Sequence, residues 1–274
     1  MTTGATVDRI GDYVFLRELG RGEHSSVYLA RTPSRLGLAT DTVAVKVLSL
    51  TGTDGFDDLA EELGLFAGLG SPRLVPMYDV GIDAGAVFYA MRHARLGSLA
   101  APVRDLTRRE RLQAVAQAAR GAHDLHEAGV VHRGIAPSSI LLDQAGAVLG
   151  EPAVAHLLSR GHTLSGMGTA ARADRLQLLD PELMSGRPAG RASDVWALGV
   201  TLHLALTGHG VFPALVSADP FTAVRIYLRS RPEPGEDLSD GERAVVATAL
   251  HPDPARRFPT AAEFADAVED LARR

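Results

Sequence analysis

The chain has 274 residues, a formal net charge of −5 at pH 7 and 46% apolar side chains. That length buries a core without covalent staples, and that balance excludes a disordered tail, a general nucleic-acid binder and a basic membrane-surface protein. Cysteine is absent, which removes disulfides, thiolate metal sites and cysteine nucleophiles.

In chain order, Met1 to Gly11 shows no basic stretch leading into an apolar run, so it reads as a tail without a secretory leader. Strands are predicted over Asp12–Leu19, Val27–Ala30 and Thr42–Leu48. In the last of these Val43, Val45 and Val47 fall on one face and Ala44, Lys46 and Leu48 on the other. A helix is expected around Phe56–Leu69, stopped by Gly70 and Ser71-Pro72, and two more strands at Val75–Val80 and Ala86–Met91.

After Gly97 the period becomes helical. Thr107-Arg-Arg-Glu110 reads as a capping box, and Leu112, Val115, Ala119, Ala122 and Leu125 behind it form one buried stripe that ends at Gly129. A second helix opens at Ser193-Asp194 and runs to Leu206, with Gly208 as its stop. Arg231–Gly235 is a loop, and Thr260-Ala-Ala-Glu263 caps a last helix whose inner face is Phe264, Val268 and Leu271. The longest apolar run, Val195–Leu206, holds His203 and is too short to span a bilayer, so a soluble cytoplasmic chain is expected. Of the ten histidines, His156 and His162 stand six apart, the wrong spacing for one helix face, and no metal-binding pattern emerges. Strands first and helices after predict an α+β protein with two lobes.

Two features carry chemistry. Gly20-Arg-Gly22-Glu-His-Ser25 lies between two predicted strands, and glycines there let backbone N–H groups approach a phosphate. Lys46, on the strand that follows, is the one lysine among 28 basic residues, and an ammonium at that place pairs with phosphate oxygens.

With the glycine loop, the strand lysine and the segments quoted below, the sequence resembles the protein kinase family, most closely bacterial Ser/Thr kinases, from about Asp12 to Leu271. The resemblance implies a two-lobed kinase-like fold: a tail over 1–11, an N-lobe over 12–91 built of an antiparallel sheet plus one helix, and a mostly helical C-lobe over 92–274. It implies an ATP-type cleft in which Gly20, Gly22, Ser25 and Lys46 meet phosphates, Val27, Ala44 and Leu141 enclose the base, Met91 is the gatekeeper and Arg92-His93-Ala94 is the hinge. It also gives Lys46 a helix glutamate partner, Glu62 by spacing to Ser71, with Glu61 as the alternative register.

Val131-His-Arg-Gly-Ile-Ala-Pro-Ser-Ser-Ile-Leu-Leu142 resembles the kinase catalytic loop, and its departures are chemical. Gly134 stands where the family has the aspartate that accepts the substrate hydroxyl proton. Ala136 replaces a lysine that touches the transferring phosphate, and Ser139 replaces a magnesium-binding asparagine. Glu151-Pro152-Ala153 aligns with Asp-Phe-Gly, so Glu151 is either a longer-armed metal ligand or a structural acid.

Scaffold positions are kept. His132 and Arg133 remain in the loop, Asp194 resembles the helix acid that anchors the loop backbone, and Glu182 of Asp180-Pro-Glu182 is expected to form a buried pair with Arg256. Thr163, Ser165 and Thr169 lie in the activation-loop region, either as phosphorylation sites or as parts of a polar loop. The sequence therefore reads as a pseudokinase: a regulatory or scaffolding protein that retains a nucleotide cleft, with ATP as its ligand and magnesium left open. The partner implied is a protein, an active kinase or a phosphothreonine-binding module, and not a nucleic acid. The alternative is a weak or unorthodox ATP-dependent kinase that uses Glu151 as metal ligand.

Overall fold

The computed structural model describes residues 8–22, 25–48, 56–150, 176–215 and 219–274. These divide into two compact units. One holds the described residues up to Gly70 together with Val75–Ala94, and the other holds Ser71–Leu74 and the described residues from Arg95 onward.

The first unit is a six-stranded sheet with one helix. Strands β1 (Arg9–Ile10), β2 (Tyr13–Arg21), β3 (Ser25–Arg31), β4 (Thr42–Leu48), β5 (Met77–Asp83) and β6 (Ala86–Met91) lie in the order β1-β2-β3-β4-β6-β5, with every neighbouring pair antiparallel. The period-two alternation of β4 sorts its side chains as expected: Val43 and Val45 join Tyr13, Ala30, Phe88 and Ala90 in one apolar cluster, with Val47 packed against it. Helix α1 (Phe56–Gly68) buries Leu59, Leu63 and Phe66, a stripe at helical spacing.

Strand β5 starts at Met77, not at Val75. Pro76 offers no N–H to a ladder, and its carbonyl instead accepts from Arg92 N–H at 2.9 Å. The far end runs on to Asp83, where Ala84 (φ 47°) and Gly85 (φ 79°) make the two-residue turn into β6.

The second unit is mostly helical, with α2 (Arg108–Glu127), α3 (Pro181–Met184), α4 (Arg191–Thr207), α5 (Pro220–Arg229), α6 (Asp240–Ala249) and α7 (Ala261–Arg273). A small antiparallel sheet accompanies them: β7 (Gly97–Ser98), β8 (Ala101–Pro102), β9 (Ile140–Asp143) and β10 (Gly146–Leu149), in the order β10-β9-β7-β8. Helix α2 has the full Thr107–Glu110 capping box and buries the stripe from Leu112 to Leu125. Helix α4 opens at Arg191 on a Gly190 N-cap, and its run from Asp194 to His203 is wholly buried. Thr260 caps α7 by accepting the Glu263 N–H, but the Glu263 carboxylate takes the Thr260 hydroxyl and leaves its backbone alone. Among the described residues no helix is long and apolar enough to cross a membrane.

Candidate functional site

In the first unit Gly22 N–H donates to the Ser25 carbonyl at 2.7 Å. Register then places four residues directly opposite one another across neighbouring strands: Gly20 on β2, Val27 on β3, Lys46 on β4 and Tyr89 on β6. Directly opposed residues point to the same face, so Lys46 and the bare Cα of Gly20 share one side of the sheet. Lys46 Nζ lies 5.8 Å from the Tyr89 ring centroid. A Cβ built on Gly20 would meet nothing within 4 Å, so the space above it is open.

Ala44 and Met91 face each other in the next row and are both buried, whereas Ala94 in the hinge segment is half-buried. Of the two candidate glutamates, Glu62 is half-buried beside Leu59, Leu63 and Phe66, and Glu61 is exposed. Both Lys46 and Glu62 have interaction partners.

In the second unit the catalytic-loop segment hangs on Asp194. Its Oδ2 accepts the His132 N–H at 2.8 Å, and its Oδ1 accepts the Arg133 N–H at 2.9 Å. Arg133 is held at φ 62°, a conformation most side chains avoid, and these bonds keep it there. His126 Nε2 also lies 2.8 Å from Asp194 Oδ2, a partner the sequence reading missed although His126 sits four residues after Ala122, next to the buried stripe of α2. The buried His132 ring accepts the Gly134 N–H on Nδ1 at 3.2 Å and places Nε2 3.3 Å from the Gly150 carbonyl, which fixes the Nε2–H tautomer.

The positions that depart from the kinase pattern lie beside this anchor. Gly134 has no side chain. Ser139 Oγ donates to the Ala136 carbonyl at 2.9 Å and accepts the Ala136 N–H at 3.0 Å, around a 3-10 turn over Pro137–Ser139. A hydroxyl closed on its own loop in this way is poorly placed to ligate a cation, and the described members of this set do not fit a magnesium site. Among the described residues no group of three or more His, Asp or Glu side chains could hold a metal. Leu141 is half-buried on β9, opposite Val148 and Ser98. Glu151, Thr163, Ser165 and Thr169 lie outside the described residues.

One expectation is corrected. Glu182 and Arg256 do not form the buried pair: Arg256 is exposed, and Glu182 pairs with the exposed Arg187 at 2.7 Å. The buried pair is Asp180 with Arg257, at 2.6 Å. Asp180 is the N-cap of α3 and faces inward, while Glu182, two residues along the helix, is carried round to its outer side.

The model of the protein kinase domain matches residues 13–267. The serine/threonine-protein kinase PknJ of Mycobacterium tuberculosis is 31% identical over 271 residues, covering 93% of this chain and 44% of that protein. The serine/threonine-protein kinase PknB of the same species is 30% identical over 269 residues, 90% of this chain and 40% of that protein. The tyrosine-protein kinase MasK of Myxococcus xanthus is 28% identical over 281 residues, 94% and 43%. The chain thus spans less than half the length of the curated relatives it matches. Among solved structures, the PknI kinase domain of Mycobacterium tuberculosis superposes with a TM-score of 0.70 at 23% identity, over 99% of this chain and 100% of that one, a likeness of fold.

Proposed function

The chain belongs to the protein kinase family, and from that premise we propose that it is a pseudokinase: a regulatory or scaffolding protein that binds a nucleotide without ordinary phosphoryl transfer. The observation that carries this reading is the closed loop of Ser139 on Ala136 beside a glycine at 134. Removing a general base alone lowers the rate about 10²–10⁴-fold, and removing metal ligands takes away the charge stabilisation that phosphoryl transfer depends on. Scaffold groups around the same loop are intact, as the Asp194 bonds to His132 and Arg133 attest, so the loop is shaped but lacks its reacting groups.

Nucleotide binding is supported by the row from Gly20 to Tyr89: open space over a glycine and an ammonium on the same face suit a polyphosphate. The ligand proposed is ATP, held with little need of magnesium. The partner proposed is a protein, either an active kinase or a module that reads phosphothreonine in the segment holding Thr163, Ser165 and Thr169.

A thermal melting scan with ATP, with magnesium or with chelator, tests this. At a hundred times Kd a single-site ligand raises the melting temperature by about 5–10 °C for a chain of this size. The expected result is a shift that survives chelator, disappears in Lys46→Ala and comes with no phosphate transfer to itself or to generic substrates. A magnesium-dependent shift with turnover abolished in Glu151→Ala overturns it in favour of a transferase. No shift at all overturns the nucleotide part.

A further inference from the structure

The loop over residues 231–238, between α5 and α6, is held to the second unit through its backbone. Arg243 of α6 donates to the Pro234, Gly235 and Leu238 carbonyls at 3.2, 2.9 and 3.1 Å, and Arg108 of α2 donates to the Asp237 carbonyl at 3.1 Å. Two of the loop's N–H groups are also engaged. Glu233 N–H reaches the Val211 carbonyl at 2.7 Å, and Gly235 N–H reaches His203 Nε2 at 2.8 Å. Arginine stays protonated and backbone amides do not titrate, so among these bonds a proton near neutral pH removes only the last.

The His203 ring is committed to its acceptor role. Its Nδ1–H donates to the His209 carbonyl at 2.9 Å, which leaves the Nε2 lone pair for Gly235. The fit is close: a Cβ on Gly235 would lie 3.3 Å from His203 Nε2 and 3.0 Å from His209 Cε1, so the bare glycine backbone sits flush on both rings. A proton on Nε2 sets N–H against N–H, and the loop must lift to separate them.

Charged groups on every element around this corner bear on that proton. His209 lies edge-on to His203 with ring centroids 5.3 Å apart, and its Nε2 is 3.7 Å from Asp237 Oδ2. Arg108 pairs with Glu242 of α6, Arg111 of α2 donates to the Ala205 carbonyl, and Arg243 holds Gly235 itself. Glu233, Glu236 and Asp240 are exposed. Arg243 and a protonated His209 oppose charge on His203, whereas Asp237 favours it from the far side of His209. Burial of the ring, with His209 beside it, holds its pKa below the ordinary histidine value. The bond to Gly235 is therefore intact at neutral pH and is lost as pH falls through that lowered pKa.

We propose that His203 and Gly235 form a proton-operated latch: the loop over 231–238 is closed while the ring is neutral, and it lifts from α4 when Nε2 is protonated, with the helices beneath still folded. The latch lies wholly in the second unit and stands whether or not the chain binds a nucleotide.

Glutamyl endopeptidase, active at both about pH 7.5 and about pH 5, reads the loop directly, since Glu233 and Glu236 lie in it and are exposed. Cleavage of the full chain at each site is mapped by mass spectrometry and divided by that of a peptide of the same sequence at the same pH. The expected result is a rise of about tenfold or more at Glu233 and Glu236 on acidification, with Glu263 and Glu269 of α7 as resistant as before. In His203→Gln, whose amide oxygen replaces the Nε2 acceptor and does not titrate, the rise disappears; in His209→Gln it remains. In the parent protein the midpoint of the rise coincides with protonation of the His203 ring followed by nitrogen NMR, a comparison that needs no variant. The proposal is overturned by no rise, by an equal rise at Glu263 and Glu269, which is global unfolding, or by a rise unchanged in folded His203→Gln. A midpoint apart from the His203 titration overturns it too, as does loss of the rise in His209→Gln, which moves the switch to the other ring.

Discussion

Arg257 grips Asp180 with two parallel hydrogen bonds, Nη1 to Oδ2 at 2.6 Å and Nη2 to Oδ1 at 3.0 Å, both side chains being buried. Two more of its donors are engaged: Nε reaches the His251 carbonyl, and Nη1 the Ala192 carbonyl, both at 2.9 Å. The guanidinium carbon lies 5.0 Å from the Trp196 ring centroid. One arginine thus ties α3, α4 and the turn before α7 together.

Breaking this pair from one side leaves a buried charge alone. Asp180→Ala is expected to lower unfolding free energy by roughly 3–5 kcal/mol, and Glu182→Ala by no more than about 0.5 kcal/mol, since exposed ion pairs contribute little. Urea denaturation of the two variants distinguishes this assignment from a Glu182–Arg256 pair, which demands the reverse order.

Asp194→Asn replaces a carboxylate that accepts from His126, His132 and Arg133 with a group that presents two N–H donors of its own. The loss expected is about 3 kcal/mol or more, given about 1.5–3 kcal/mol for each bond to a charged acceptor. Arg133 is exposed and then no longer held at positive φ. Limited trypsin digestion reads this as faster cleavage after Arg133 than in the parent protein.

Two glycines in helices answer opposite questions. A Cβ on Gly199 of α4 would lie 2.6 Å from Ala249 Cβ of α6, so Gly199→Ala is expected to destabilise by about 1–3 kcal/mol. Gly64 of α1 has nothing within 4 Å, and Gly64→Ala is expected to stabilise by roughly 0.5–1 kcal/mol through helix propensity. Melting temperatures of the pair should move in opposite directions.

His203 is buried and neutral: its Nδ1–H donates to the His209 carbonyl at 2.9 Å, and its Nε2 accepts the Gly235 N–H at 2.8 Å. Burial, with the nearby His209 charge, holds its pKa below the usual histidine value. The unfolded chain therefore binds the proton more readily. The stability His203 contributes is full above about pH 6.5 and is lost as pH falls below it. Urea midpoints at pH 7.5 and 5.5 should differ more in the parent protein than in His203→Gln, which cannot titrate.

Gly134→Asp returns a carboxylate to the catalytic loop but no metal ligand, because Ser139 stays closed on Ala136. Phosphate transfer to a generic substrate is expected to stay within about twofold of the parent background, whereas a single lost base restored in an otherwise competent site recovers about 10²–10⁴-fold. A radiolabel transfer assay on both proteins decides it.

The face assignment of β4, the capped start and buried stripe of α2 and the inner face of α7 were legible because each rests on a period or a local cap within one segment. The short strands β7 to β10 were not, since two to four residues carry no period and pair only through partners far along the chain. Helix α6 was missed although Ser239 and Glu242 form a full capping box, and ten residues with scattered alanines and valines give a weak stripe behind it.

By itself the sequence determined the family, the order of strands β2 to β6 and of helices α1, α2, α4 and α7, and which residues depart from the kinase pattern at 134, 136 and 139, because identity and spacing along the chain need no folding to be read. Only the tertiary structure decided which of two neighbouring acids and two adjacent arginines share a buried charge, which glutamate of α1 lies on the packed face, and that Ser139 turns back on its own loop. Those choices depend on the direction each side chain takes from its backbone and on the groups it meets there, and neither is written in linear spacing.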